Sequence, residues 1–111
     1  MKDSQAQFIQ GTLELLILRT LIFGPSHGHA IAKHIQRTSE ELTIETGSLY
    51  PALHRLEAQG LIRASWQLSD KGKRAKYYRL TPAGRRHLNA EQSRWDRFVL
   101  AIGRVLRPAE E

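Results

Sequence analysis

The chain has 111 residues, 41% of them hydrophobic, which is room for one modest core and hardly for two domains. Its 17 lysines and arginines outnumber 11 aspartates and glutamates, a formal charge of +6 that favours a polyanionic partner, nucleic acid before an anionic membrane surface. Cysteine is absent, which excludes disulfides and thiolate chemistry; with no signal-peptide pattern and no run of the roughly 18 apolar residues a membrane span needs, a soluble cytoplasmic protein without membrane contact is expected.

Residues 1–10 are polar apart from Ala6, Phe8 and Ile9 and read as a loose or partly helical arm. The run from Leu13 to Phe23 is apolar almost all round a helical circumference, more than one side of a small domain can cover. One face is expected to meet the core and another, with Leu15, Leu18 and Ile22, a partner chain; a central helix of a monomer would carry the same pattern. Gly24-Pro25 stops this helix. Ser26 is placed to cap a second helix from His27 to about Arg37, with Ala30, Ile31 and Ile35 inward and Lys33, His34 and Arg37 outward. After the polar connector Thr38 to Glu41, Leu42-Thr43-Ile44 reads as a very short strand.

The stretch from Thr46 to Gly60 is the one the others serve. Leu49, Leu53 and Leu56 recur at i, i+4 and i+7, flanked by Ala52, and form an apolar back. Gly47, Tyr50, Pro51, His54, Arg55 and Ala58 point the other way, with Glu57 only at the margin. Pro51 lacks an N–H and belongs in a first turn, so regular helix is expected from near Ser48, and Gly60 supplies the left-handed residue that ends it. Such a helix suits a DNA major groove; an ordinary amphipathic surface helix would show the same stripe, and the neighbouring elements favour DNA.

Beyond Gly60 the period becomes 2: Ile62, Ala64, Trp66 and Leu68 alternate with Leu61, Arg63, Ser65 and Gln67. Ala75 to Leu80 is a second strand, and the basic turn Ser69 to Arg74 joins the two into a hairpin. Thr81-Pro82 pairs a capping hydroxyl with proline at the first helical position. The helix they start is expected to run to Leu106, before Pro108. Leu88, Trp95 and Ile102 recur every seven residues, as do Gln92, Val99 and Leu106, and Phe98 and Val105 widen the seam. Two and a half heptads are too short to stand free but enough to pack on a symmetry mate, so Leu88, Trp95, Phe98, Val99, Ile102 and Leu106 join the expected dimer interface.

The fold expected is mainly α with a small antiparallel β-hairpin: a winged helix-turn-helix in residues 1–80, and a C-terminal dimerisation helix and tail in residues 81–111 of the same compact unit. Arg55 and His54 are then the groove-facing donors to base edges, Tyr50 and Ser48 suit phosphate, and Pro51 shares their face. Lys71, Lys73, Arg74 and Lys76 supply phosphate charge from the wing, although a solvated turn would look alike. Neither a metal nor a cofactor is expected, because no pair among His27, His29 and His34 has i, i+4 spacing. Glu40-Glu41 and Glu110-Glu111 are adjacent pairs, not converging acids, and no nucleophile elbow or phosphate loop supports an enzyme.

GTLELLILRTLIFGPSHGHAIAKHI, GSLYPALHRLEAQGLI and KYYRLTPAG, over roughly residues 10–106, resemble the PadR family of bacterial transcriptional regulators. With one helix after the wing, the chain is similar to its short subfamily. The resemblance implies a homodimer whose first and last helices exchange contacts between subunits. It also implies a repressor on an inverted-repeat operator, released by a small molecule. Ser48, Leu49, Tyr50 and Pro51 match the family's recognition-helix motif, Lys71 to Arg74 its wing tip, and Trp95 a recurrent tryptophan of the dimer helix. His29 stands where the family more often has tyrosine. In multidrug-sensing relatives the matching tryptophan stacks on flat aromatic ligands at the dimer interface; here Trp95 is read first as a large anchor of the seam and only second as such a platform. The rival functions are a winged-helix module for protein–protein association and a ligand-sensing dimer that chiefly binds flat aromatic compounds.

Overall fold

The computed structural model describes residues 12–107, so the N-terminal arm and Pro108 lie outside the described residues. Helix α1 (residues 12–20) tightens into a 3₁₀ turn, Leu21–Phe23, before Gly24. A short strand, β1 (Ser26–His27), leads into α2 (Gly28–Thr38), and α3 (Thr46–Ala58) follows a connector. Strands β2 (Ile62–Leu68) and β3 (Arg74–Leu80) form the hairpin, and α4 (Pro82–Leu106) ends the described chain. The antiparallel sheet has the order β1-β3-β2.

Leu13, Ile17, Leu18 and Leu21 of the first helical segment sink into one core with Ile31 and Ile35 of α2 and Leu49, Leu53 and Leu56 of α3. Thr20, a buried polar side chain among them, donates its hydroxyl hydrogen to the Leu16 carbonyl at 2.9 Å. Two residues expected at a partner's surface belong here instead. Leu18 is 1% exposed and Leu88 0%, so a second chain could remove almost no further area from either. Ala30, expected inward on α2, is only half-buried.

The third strand differs from expectation. Ser26 and His27 pair with Tyr78 and Tyr77 of β3, whereas residues 42–44 form no strand and instead send Ile44 into the core with Leu42 packed against it. With Ser26 committed to the sheet, the helix cap passes to His27, whose Nδ1 accepts the Ala30 N–H at 3.1 Å.

Helix α3 starts at Thr46, ahead of the expected Ser48, and runs through Pro51. The proline ring withdraws one hydrogen bond from Gly47, four residues back, whose exposed carbonyl can turn to water. At the other end Gly60 has φ +76°; its N–H reaches the Glu57 carbonyl and the Leu61 N–H the Leu56 carbonyl, both at 3.0 Å. Leu56 and Leu61 are buried together, completing a Schellman stop.

Thr81 fastens α4 to that stop. Its hydroxyl donates to the Gly60 carbonyl at 2.7 Å and accepts the Gly84 N–H at 2.9 Å, with Pro82 at the first helical position as expected. Gly84 then passes so close to the residue leading into β2 that a Cβ would lie 2.0 Å from the Leu61 carbonyl oxygen. Leu88 is the last fully buried residue of α4; Phe98, Val99, Leu100, Val105 and Leu106 are exposed. Helices α2 and α3 with a braced hairpin beside them constitute a winged helix-turn-helix, extended by one long helix.

Candidate nucleic-acid interface

Helix α3 buries Leu49, Ala52, Leu53 and Leu56 and leaves Gly47, Tyr50, Pro51, His54 and Ala58 outward, none of them acidic. Tyr50 leans on the start of α2: a Cβ at Gly28 would lie 2.9 Å from its ring carbon and its hydroxyl. Glycine at that position therefore lets the two helices of the motif lock through the phenol. Ser48 is half-buried in the first turn.

Arg55 does not stand on the same face. Successive residues are turned by about 100° on a helix, which takes Arg55 from beside His54 to the flank nearest α1. There its Nε donates to the Glu14 carboxylate at 2.6 Å, both side chains half-exposed. The expected base-edge donor is thus engaged within the chain.

The cations of the hairpin divide into two groups. Lys71, Lys73 and Arg74 are exposed at or beside the turn, which Ser69 and Gly72 close through the Lys73 carbonyl and Gly72 N–H. Lys76, half-buried, sits 3.6 Å from Glu57 of α3 and over the Tyr78 ring, so it braces the wing against the helix. Burial first, then the Glu57 carboxylate and Tyr50, push the Tyr78 phenol above its ordinary pKa. Between α3 and the hairpin lies an open cleft of about 510 Å³, bordered by Tyr50, His54, Trp66, Lys73 and Arg74. Trp66 and His27 join this border without being expected there. Trp66 was visible in the alternation with Ile62 and Ala64, but only the structure shows that the core ends beneath it.

At the opposite side, Trp95 is half-buried with its ring 6.0 Å from that of Phe98. It borders a cavity of about 320 Å³ between α1 and α4, with Glu14, Leu15, His87 and Arg94. Ile22 is half-buried, and Phe98, Val99, Ile102 and Leu106 of the expected seam are exposed in the single chain. Among the described residues no three His, Cys, Asp or Glu side chains gather as metal ligands, and no helix is long and apolar enough to cross a membrane.

An outward helix face without carboxylates beside a hairpin with exposed cations is the arrangement of a winged-helix regulator. Residues 17–90 match the Transcriptional regulator PadR-like family, and the chain belongs to that family, whose members bind DNA. It is 34% identical over 86 residues to a transcriptional regulator of Mycobacterium tuberculosis, covering 78% of each chain. A transcriptional regulator from Clostridium thermocellum superposes with a TM-score of 0.79 at 32% identity, covering 88% of this chain and 93% of that one. A PadR family regulator from Eggerthella lenta gives 0.78 at 32% identity, covering 96% and 92%.

Proposed function

We propose that the chain acts as a homodimeric repressor, setting two copies of α3 into successive major grooves of an inverted-repeat operator. The observation that carries this reading is the placement of Lys73 and Arg74 across one cleft from Tyr50 and His54, on a face of α3 without carboxylates, with Lys71 exposed at the same hairpin turn. Tyr50, Pro51 and His54 face the groove, Ser48 lies near the backbone, and the tip cations meet phosphate. Pairing two chains through Phe98, Val99, Ile102 and Leu106 would remove from water an apolar surface that the single chain leaves exposed.

A small-molecule effector is the second part of the proposal. Trp95 and Phe98 offer aromatic faces beside the Glu14 carboxylate, chemistry suited to a flat aromatic cation. Such a ligand releases DNA only by binding the DNA-competent and incompetent dimers unequally.

The test is fluorescence polarisation of a labelled duplex taken from upstream of the coding sequence, titrated at several salt concentrations. Three tip cations per subunit in a dimer predict a slope of log affinity against log salt of about −5. No binding at low salt would refute the DNA reading and leave protein–protein association. Strong Trp95 quenching by aromatic cations without any effect on DNA binding would refute the effector's role in release.

A further inference from the structure

The sheet face that covers the core at its base continues beyond it. Ile62, Ala64, Trp66 and Leu68 of β2 share this face, opposite Leu80, Tyr78, Lys76 and Arg74 of β3. Ile62 and Tyr78 are buried, whereas Trp66 is 59% exposed and Leu68 69%. Trp66 keeps the orientation of a core residue after the core has ended, so its indole borders the cleft shared with Tyr50 and His54 of α3. The Arg74 guanidinium lies over the indole, 5.5 Å from the ring centroid. Lys76, directly across the ladder, is held by Glu57, which fixes this part of the wing relative to α3.

An exposed indole wants an apolar or π-faced neighbour, while Lys73 and Arg74 around it want anions. Nucleic acid offers both, a sugar edge or base face beside phosphates. Resting on the DNA-binding reading above, we infer that Trp66 is itself a DNA-contacting residue. Its indole packs on the sugar edge of the duplex beside the groove that α3 enters, while Arg74 meets the adjoining phosphate with or without the ring. The contact adds affinity without neutralising a phosphate, so it leaves the counterion count unchanged.

Emission from the full-length protein tests this, because Trp66 and Trp95 are its two tryptophans. Mixed-sequence duplex DNA is added at low salt while polarisation of a labelled duplex reports binding. DNA is expected to quench or shift the wild-type emission, and Trp66→Phe to abolish that change. Trp66→Ala is expected to bind roughly fivefold or more weakly, as loss of an aromatic stacking contact to nucleic acid does, with an unaltered salt slope. Gln67→Ala, on the opposite face of the same strand, should bind as wild type. Emission that stays constant while polarisation rises, or full affinity in Trp66→Ala, overturns the contact yet leaves the DNA-binding reading standing. Failure of the wild type to raise polarisation at all overturns both.

Discussion

Glu14 of α1 and Arg55 of α3 meet in an ion pair of 2.6 Å. The same Glu14 borders the cavity beside Trp95, so one carboxylate touches both the proposed effector region and the helix proposed to enter DNA. A half-exposed pair of this kind contributes about 1 kcal/mol or less to stability. Its importance is positional: it decides whether Arg55 is held against α1 or free to swing toward phosphate.

Glu14→Gln removes that hold and one negative charge. DNA affinity is expected to rise severalfold, and the salt slope to steepen by about one for each arginine that gains a phosphate. Polarisation against salt measures both. An unchanged slope would show that Arg55 stays on the flank even without its partner.

Lys73→Ala and His54→Ala should fail differently. On the proposed reading Lys73 at the wing tip meets phosphate, so its loss is expected to weaken all sequences alike and to flatten the slope by about one per subunit contact. His54 lies on the outward face of α3, and its loss should narrow the gap between operator and random duplex with little change in slope. Competition binding with both duplexes separates the two, and equal losses of sequence preference would contradict this division.

Gly84→Ala pits two effects against each other. Alanine is favoured over glycine in a helix by about 1 kcal/mol, but its Cβ would fall 2.0 Å from the Leu61 carbonyl oxygen. Backbone cannot step aside as a side-chain tip can, so overpacking wins, with a net loss of about 1–3 kcal/mol. Urea unfolding reads this directly; equal or greater stability would mean that α4 can slide off β2 without cost.

Val99→Asp puts a charge on the exposed apolar stretch of α4, 48% exposed in the single chain. Because Val99 has left the core, the subunit should stay folded while the dimer comes apart. Sedimentation is expected to show monomers with an unaltered circular dichroism spectrum, and an undiminished dimer would place the interface elsewhere.

The parts of this fold that were legible in the sequence are those specified by neighbouring residues. Thr81-Pro82 marks the start of α4 with a hydroxyl and a ring that act within three residues, and Gly60 marks the end of α3 in the same local way. What escaped depends on contacts across the chain. Ser26 and His27 become a strand only because β3 lies beside them, and two residues cannot show a period. Periodicity marks Leu18 and Leu88 as apolar without saying whether the neighbour is the same chain. For Arg55 the helical wheel allows a groove-side position, and the partner that draws it aside sits 41 residues away. The family resemblance and the order of helices and hairpin came through, while the ion pairs that occupy Arg55 and Lys76 did not.

Hydroxyl-radical footprinting of the wild-type protein on DNA from upstream of its coding sequence tests the central claim most directly. Two copies of α3 entering one face of a duplex predict two protected blocks whose centres lie about one helical turn, roughly 10 base pairs, apart. Val99→Asp should lose the paired pattern. A single uninterrupted block, or protection that survives unchanged in that variant, would contradict the account.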